Sequence, residues 1–463
     1  MRRNQSDIAR LFIPAFIKPC SMVLLLLLIL QACQKEHNDS EKEKKNVDLE
    51  LIADGLVSPI QAVATHNSER LYIVDQIGKI WVIDGSGNLR PTPMLDLTSK
   101  IVSLNPSYDE RGLLGLAIHK DFRTNGRLFV YYQMPPLAGG PVPGATWNNR
   151  SRVSEFNLLP GASKCDPNSE KVILEWDDPQ SNHNGGALAF GADNYLYIAI
   201  GDGGGSNDVG PGHVDDWYTV NSGGNAQNIE ANFLGKILCI DIDKGSPYVA
   251  PPTNPFIDKP GLDEIFALGL RNPYRMTFDM GGEHQLIFSD AGQELSEEIN
   301  AGRKGGNYGW NVREGRHCFS TADNTKELAS CPVVDKRGKP LLDPVIELNN
   351  YKNPKGGNAT TIIGGYVYRG TGIPAWEGKY LFGSFSQSPT TANGELFIAD
   401  MSENLNVTNW DYKEVSLKNS PNDIGYFLKG FGQDDDGEVY LCVSGISGPN
   451  GSTGKVFKLV AVE

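Results

Sequence analysis

No C-x-x-C-H motif occurs in this chain, which excludes a covalently attached c-type haem. The chain also lacks a basic stripe, since 42 Lys and Arg against 56 Asp and Glu give a formal net charge of −14. Clustered cations are what nucleic-acid backbones require, so this balance argues against a nucleic-acid partner. Apolar residues at helical spacing are almost absent. The chain has instead 52 glycines, 28 prolines and short apolar runs bounded by turns, which predicts an all-β protein.

Residues 1–33 are predicted to be a lipoprotein signal peptide rather than part of the fold. Basic residues precede the apolar run 22–30, which is too short to span a bilayer comfortably. Leu-Gln-Ala-Cys follows and resembles the lipobox of bacterial lipoproteins, which makes Cys33 the expected lipidation site. We therefore expect an exported protein of the cell envelope, at the outer membrane or the periplasmic face, attached to the membrane by its lipid alone. The alternative is an ordinary signal peptide with an incidental cysteine.

The rest of the chain divides into a polar tether, residues 34–48, and one domain, residues 49–463. The tether is almost wholly polar and charged and cannot contribute to a core. In the domain, a turn followed by a strand rich in Leu, Tyr, Ile, Phe and Val recurs six times, and in five copies a second strand follows soon after. The six runs are 70–75, 127–132, 195–202, 285–290, 380–385 and 439–445. This repetition predicts a six-bladed β-propeller closed by residues 451–463, with a pair of β-sandwiches as the alternative.

Five cysteines follow Cys33, and their odd number leaves at least one thiol without an intramolecular partner. Cys318 and Cys331 flank a polar loop, so we expect a local disulfide between them in an exported protein. Cys239 and Cys442 lie inside apolar strands and are expected to be core residues.

The segment 182–205, NHNGGALAFGADNYLYIAIGDGGG, places His183 in a glycine-flanked loop and Asp202 at the end of the following strand. That strand anchors both loops at one end of a sheet, so an imidazole and a carboxylate can converge there. A neutral imidazole accepts protons near pH 7, and a neighbouring carboxylate fixes its tautomer. His183 is therefore a candidate general base oriented by Asp202. The alternative is a polar loop histidine with only a structural hydrogen bond.

Three further segments, like the His183 segment, join an apolar strand to charged residues and glycines, which suits loops that approach a ligand closely. They are ERGLLGLAIHKDF (110–122), ALGLRNPYRMTFD (267–279) and SDAGQELSEEINAGRKGGNYGW (289–310). In chain order the four segments resemble the glucose/sorbosone dehydrogenase family. The resemblance implies a six-bladed propeller that uses pyrroloquinoline quinone and Ca²⁺ to oxidise aldose sugars at the anomeric carbon. Its partners would be a small-molecule sugar and an unidentified electron acceptor.

The resemblance also assigns roles to individual residues. His183 matches the family's catalytic base, which would take the proton of the sugar's anomeric hydroxyl while hydride moves from the sugar to the quinone, and Asp202 matches the carboxylate that orients it. Arg271 and Asn272, in the R-N-P run, match residues that lie against the cofactor, where a guanidinium can stack on a ring and carry charge. The alternative for Arg271 is an arginine that buttresses a blade corner.

The calcium ligands implied by the resemblance come from the turn Gly292-Gln293, because Ca²⁺ prefers hard oxygen ligands that include backbone carbonyls. Glu297, Glu298 and Asn300 follow this turn and are expected to brace it. The alternative is a solvated acidic turn.

Several positions depart from the family's pattern. Glu110 and Arg369 fall at cofactor-binding positions where soluble glucose dehydrogenase has a glutamine and a lysine. Two arginines that hold the cofactor's carboxylates would fall near residues 383–387, GSFSQ, where this chain has none. At roughly 1.5–3 kcal/mol per charge-assisted hydrogen bond, such losses should weaken the binding of a trianionic ligand. The forms GLLGLAIH and HNGG are closer to the branch that includes the hedgehog-interacting-protein-like propellers, whose members need not be enzymes.

Three classes of function follow from these residues. The first is the exported sugar dehydrogenase, which His183 with Asp202 favours. The second is a non-catalytic propeller lipoprotein that binds a carbohydrate or protein ligand, which the missing arginines and the acidic Glu110 favour. The third is a calcium-dependent hydrolase, which would need side-chain carboxylates that converge on the channel axis.

Overall fold

The computed structural model describes residues 43–65, 70–138, 147–221 and 224–462. They form β-strands with almost no helix, which confirms the all-β prediction. No helix in these ranges is long and apolar enough to cross a membrane. The predicted signal peptide, its Cys33 and most of the predicted tether lie outside the described residues.

The strands are numbered along the chain. The first nine are β1 (Glu43–Leu56), β2 (Pro59–Ala64), β3 (Leu71–Asp75), β4 (Lys79–Ile83), β5 (Leu95–Asp96), β6 (Leu113–Ile118), β7 (Arg127–Met134), β8 (Asn149–Asn157) and β9 (Lys171–Asp178). The next nine are β10 (Leu188–Phe190), β11 (Leu196–Ile200), β12 (Lys236–Ile240), β13 (Ile265–Leu268), β14 (Arg275–Phe278), β15 (Leu286–Asp290), β16 (Ser296–Ala301), β17 (Arg313–Glu314) and β18 (His317–Cys318). The last eight are β19 (Ile346–Asn349), β20 (Ile362–Val367), β21 (Tyr380–Ser384), β22 (Glu395–Ala399), β23 (Tyr412–Leu417), β24 (Phe427–Gln433), β25 (Val439–Ser444) and β26 (Gly454–Ala461). The helix α1 (Phe122–Asn125) and a 3₁₀ turn (Pro374–Trp376) complete the set.

Most strands belong to groups of four antiparallel neighbours. Three groups are separate sheets, formed by β6 to β9, by β10 to β13, and by β14, β15, β16 and β19. Twelve more strands form one sheet in the order β20-β21-β22-β23-β1-β26-β25-β24-β2-β3-β4-β5. Its pairing is antiparallel except at two parallel links, between β23 and β1 and between β24 and β2. The strands β2, β6, β10, β14, β20 and β24 contact one another in this order, and β24 contacts β2.

The recurring apolar runs all contain strands, and several middle strands of the sheets are buried along their whole length. Every residue of β11, β15 and β25 is buried. Because such strands are covered on both faces, their apolar residues run continuously instead of alternating. The second strand of the fourth copy is β16, which the sequence did not reveal because it buries Glu297, Glu298 and Asn300.

Strand β1 completes the sheet of the C-terminal strands. It pairs with β26, placing Val47 opposite Ala461 and Leu49 opposite Leu459. The strand begins at Glu43, inside the segment expected to be a tether, and Val47 is buried in an apolar cluster with Val415 and Leu459.

Cys318 and Cys331 form a disulfide with a Cα–Cα distance of 5.5 Å, as predicted. Cys239 and Cys442 are buried free thiols, which confirms that they are core residues.

We expect Leu56→Ala to lower the free energy of unfolding by about 2–5 kcal/mol, because Leu56 packs against Ile73 and Val456 and its removal leaves a cavity. Leu51 lies on the same strand but is 48% exposed, so Leu51→Ala should change that free energy by less than about 0.5 kcal/mol. Urea unfolding curves of the two variants check this. Equal losses would show that β1 is not packed as described.

Candidate functional site

A cavity of about 300 Å³ lies where segments lead into the first strands of several sheets. Glu110 lines it ahead of β6, His183 ahead of β10, and Arg271 and Asn272 ahead of β14. The turn Gly292-Gln293, between β15 and β16, lines the same cavity. The structure therefore brings the candidate base and the candidate calcium turn to one site.

His183 and Asp202 form a buried hydrogen-bonded pair. The His183 Nδ1 atom lies 2.7 Å from Asp202 Oδ1, and the two residues are 4% and 0% exposed. His183 has a positive φ of 56°, a conformation that histidine tolerates better than most residues. Because Nδ1 is engaged by the carboxylate, Nε2 is the ring nitrogen left for a ligand in the cavity.

Asp202 is held from several sides. Its Oδ1 accepts a hydrogen bond from the Gly204 amide at 2.9 Å, and its Oδ2 accepts one from Trp310 Nε1 at 2.8 Å. Burial alone would raise the pKa of Asp202, but the hydrogen bond and charge of His183, together with the charges of His213 and Arg271, outweigh it and the pKa is lowered. An ionised Asp202 accepts a hydrogen bond from the Nδ1–H group of His183, which fixes the tautomer with a basic Nε2.

Glu110 joins the His183 loop to Asn272. Its Oε2 accepts a hydrogen bond from the His183 amide at 2.7 Å and lies 3.4 Å from Asn272 Nδ2. Asn272 in turn accepts a hydrogen bond from the Gly185 amide through Oδ1 at 3.0 Å. The carboxylate that departs from the family's glutamine thus positions the backbone of the candidate base.

Arg271 and Asn272 are anchored by Asp290. Their amides donate to the Asp290 carboxylate at 2.9 and 2.6 Å, and burial raises the pKa of Asp290 to about 7. The Arg271 guanidinium lies 5.6 Å from the centre of the Trp310 ring and donates to the Ala291 carbonyl at 2.9 Å. Its Nε is a buried donor with no partner among the described residues.

The backbone amides of the candidate calcium turn donate hydrogen bonds to a single carboxylate oxygen. The amides of residues 293–296 all donate to Glu314 Oε1, at 2.7–3.1 Å. The side chain of Gln293 is also engaged, because it donates to Asn207 Oδ1 at 2.6 Å and accepts from the Asn207 amide at 2.8 Å. A cation at this turn would therefore bind to backbone carbonyl oxygens.

The remaining acidic residues do not form a side-chain metal site. In the part of the chain that the structure describes, no three His, Cys, Asp or Glu side chains are grouped to hold a metal ion. Glu297 does brace the turn as expected, since its Oε2 accepts from the Gly292 amide at 3.3 Å. The convergent carboxylates that a hydrolase would need are not found in these ranges.

Arg369 does not line the cavity, which corrects the expectation that it contacts a cofactor. Its Nε donates to Asp279 Oδ1 at 2.9 Å. Asp279 follows the end of β14 that is opposite to Arg271. The charge of Arg369 is therefore used in an ion pair away from the cavity.

Sequence reasoning missed several residues of the site. Lys429, in β24, lines the cavity, and its Nζ lies 5.3 Å from the centre of the Phe385 ring. Trp310 donates a hydrogen bond to Asp202, and Asp290 accepts one from the Arg271 amide. A lysine inside the apolar run FLKGF was the available signal for Lys429. Trp310 and Asp290 lie in the segment 289–310 that the sequence singled out, but their pairing with Asp202 and Arg271 could not be predicted because those partners belong to other segments.

Relatives of known sequence place the chain in a family. Residues 56–450 match the family model described as Glucose / Sorbosone dehydrogenase. The HIPL2 protein of Arabidopsis thaliana is 30% identical over 397 residues, covering 75% of this chain and 53% of that protein. The Hedgehog-interacting protein of Homo sapiens is 27% identical over 450 residues, covering 93% and 55%. Quinoprotein glucose dehydrogenase B of Acinetobacter calcoaceticus is 26% identical over 330 residues, covering 61% and 65%. The chain spans about half the length of the first two relatives.

Solved structures share the fold. The apo form of the soluble aldose sugar dehydrogenase from Escherichia coli has a TM-score of 0.64 and 18% identity, covering 90% of this chain and 99% of that one. The pyrroloquinoline-quinone-bound aldose sugar dehydrogenase from Streptomyces coelicolor has a TM-score of 0.59 and 19% identity, covering 89% and 97%. At these identities the likeness shows the β-propeller fold alone. The family match covers most of the chain, and the chain is therefore a member of the glucose/sorbosone dehydrogenase family.

Proposed function

We propose that this protein is an exported dehydrogenase that uses pyrroloquinoline quinone and Ca²⁺ to oxidise aldose sugars at the anomeric carbon. The observation that carries the proposal is the His183–Asp202 pair, with 2.7 Å between Nδ1 and Oδ1, on a cavity that Gly292 and Gln293 also line. Membership of the family supports sugar oxidation with this quinone. Attachment through a lipid on Cys33 is part of the same proposal.

The cavity residues fit a quinone that carries several carboxylates. Arg271 and Lys429 bring positive charge, and Asn272 brings an amide. Asn184 also lines the cavity, and its buried side-chain amide has no partner among the described residues. The carbonyl oxygens of Gly292 and Gln293 would hold Ca²⁺. When bound, the quinone would supply the hydride acceptor, and the cation would supply positive charge.

The chain's own residues then perform the proton chemistry. Asp202 holds the His183 ring in the tautomer with a basic Nε2, and this atom takes the proton of the sugar's anomeric hydroxyl. Trp310 and the Gly204 amide keep Asp202 in place, while Glu110 fixes the His183 backbone. Trp310 and the Gly204 amide are uncharged donors, and their hydrogen bonds to the Asp202 carboxylate favour its ionised form.

We also propose that the propeller has six blades. Three four-stranded sheets and three four-stranded groups within the larger sheet supply six units. The cyclic contacts of β2, β6, β10, β14, β20 and β24 support their arrangement around one axis.

A second candidate function is that of a binding module. The match to the Hedgehog-interacting protein, whose name describes binding to a protein, supports it. So do the absence of arginine from residues 383–387 and the carboxylate of Glu110 beside His183. Titration with pyrroloquinoline quinone and Ca²⁺ separates the two candidates, because a binding module of this kind has no need of the quinone.

We expect His183→Asn to lower dye reduction with aldoses by about 10²–10⁴-fold in protein loaded with quinone and Ca²⁺, because the proton acceptor is lost. Asparagine tolerates the positive φ, so the loop should keep its conformation. His284→Asn is the matched control, since His284 is exposed and has a similar φ of 52°. Wild-type turnover in His183→Asn would show that His183 is not the proton acceptor. No quinone binding by the unmutated protein would favour the binding module.

Adding Ca²⁺ to chelator-treated protein should raise its free energy of unfolding, by about 2.7 kcal/mol at 100 times the dissociation constant. Gly292→Ala should abolish this response, because a Cβ there would lie 1.8 Å from the Ser296 carbonyl oxygen. Gln293→Ala removes the bond to Asn207 but keeps the carbonyl, so the response should persist. Thermal unfolding with and without Ca²⁺ measures both. If Gln293→Ala lost the response to Ca²⁺ while Gly292→Ala kept it, the Gln293 side chain rather than the backbone would be the calcium ligand.

A further inference from the structure

Lys429 is a buried cation on the cavity wall without a carboxylate partner. It is 6% exposed, and its Nζ donates to the Ser447 carbonyl and lies over the Phe385 ring. Among the residues that the structure describes, no Asp or Glu lies within ion-pair distance of Lys429. The other lysine of the cavity, Lys352, is 43% exposed at its side chain and pairs with Glu294 at 3.1 Å.

A second buried cation lies behind Lys429. Tyr274 donates its hydroxyl hydrogen to the Lys429 carbonyl at 2.9 Å, and the Arg275 guanidinium lies 3.7 Å from the centre of the Tyr274 ring. Arg275 donates to backbone carbonyls, including that of Ile60 at 2.9 Å, and has no ion pair within the described ranges. Two buried basic side chains, Lys429 on the cavity wall and Arg275 behind it, thus have no carboxylate partner among the described residues, and an anion bound beside Lys429 would stabilise its charged form.

We propose that Lys429 binds a carboxylate group of the ligand that occupies this cavity. The proposal rests on the cavity's being the ligand site but not on the oxidation reaction. Two sources offer the same chemistry: a carboxylate of the quinone, or the carboxylate of an acidic sugar such as a uronate. Lysine suits either, because its ammonium group is a point charge with three donors that needs no fixed approach direction.

The charge state of Lys429 makes binding measurable through protons. Burial lowers the pKa of Lys429 to about 7, and the charge of Asp75 opposes that shift. The Tyr274 hydroxyl contacts the backbone carbonyl of Lys429, and the other titratable residues that line the cavity are Tyr108, Asp109, Glu110, His183, Arg271, Tyr351 and Lys352. A bound carboxylate favours the ammonium form, so it raises the pKa of Lys429. At pH 8 the free protein should therefore take up close to one proton per ligand, whereas at pH 5.5 it should take up almost none.

Titration calorimetry at pH 8, in two buffers of different ionisation enthalpy, gives the number of protons taken up. The ligands are pyrroloquinoline quinone, D-glucuronate and, as the uncharged control, D-glucose. A carboxylate ligand should bring proton uptake, and D-glucose should not. Lys429→Met should weaken binding of that ligand by about 10–100-fold. Lys429→Arg should bind it without proton uptake, because arginine is always charged.

Lys352→Met is the matched control, since it removes a cavity lysine that already has a partner, and it should keep both the affinity and the proton uptake. Uptake with the quinone alone identifies the cofactor as the source, and uptake with D-glucuronate identifies an acidic sugar. Uptake that persists in Lys429→Arg comes from another group, such as His183, and overturns the proposal. It is overturned equally if neither ligand binds, or if Lys429→Met binds as the unmutated protein does.

The proposed oxidation fails separately from the carboxylate site. Absence of quinone-dependent dye reduction, together with D-glucuronate binding that depends on Lys429, would reject the dehydrogenase and retain the site. If Lys429→Met does not fold, the comparison of the unmutated protein with Lys429→Arg still decides the outcome.

Discussion

The hydrogen bond between His183 and Asp202 is the interaction around which the site is organised. Asp202 lies at the end of β11, and its carboxylate oxygens are shared among His183, the Gly204 amide and Trp310. Its own amide donates to the Arg271 carbonyl at 2.8 Å, which ties the next sheet's loop to the same residue. One buried carboxylate thus links the candidate base, the candidate cofactor arginine and the aromatic ring beneath that arginine.

Two other buried carboxylates also hold backbone segments of the cavity in place. Asp290 receives the amides of Arg271 and Asn272, and Glu314 receives four consecutive amides of the Gly292 turn. Burial raises the pKa of both acids, and the donated amides and the charge of Arg271 oppose that rise. The loops of the cavity are irregular, and these acids satisfy backbone donors that strands would otherwise pair. Irregular backbone at the site is therefore held by side chains rather than by the sheet ladder.

The fold and part of the site could be predicted from the sequence for physical reasons. Continuous apolar runs such as β11 and β25 identify strands because both faces are buried. His183 precedes β10 and Asp202 follows β11, and because these two strands pair as an antiparallel hairpin, the two residues meet at its open end. The second strand of the fourth repeat, β16, could not be recognised in the sequence, because a strand that buries Glu297, Glu298 and Asn300 has no apolar pattern. Arg369 was misplaced because its partner, Asp279, is 90 positions away in the chain. Lys429 was missed because burial of a lysine depends on neighbours that only the fold supplies.

The pairing of β1 with β26 has a consequence for how the chain is made. Strand β1 precedes all the other described strands in the chain, and its partner β26 follows them all. During synthesis β1 must wait for its partner β26, and β26 has an open hydrogen-bonding edge until the two strands meet. Open edges recruit other strands, so this interval is when the protein is most prone to pair with a second copy of itself.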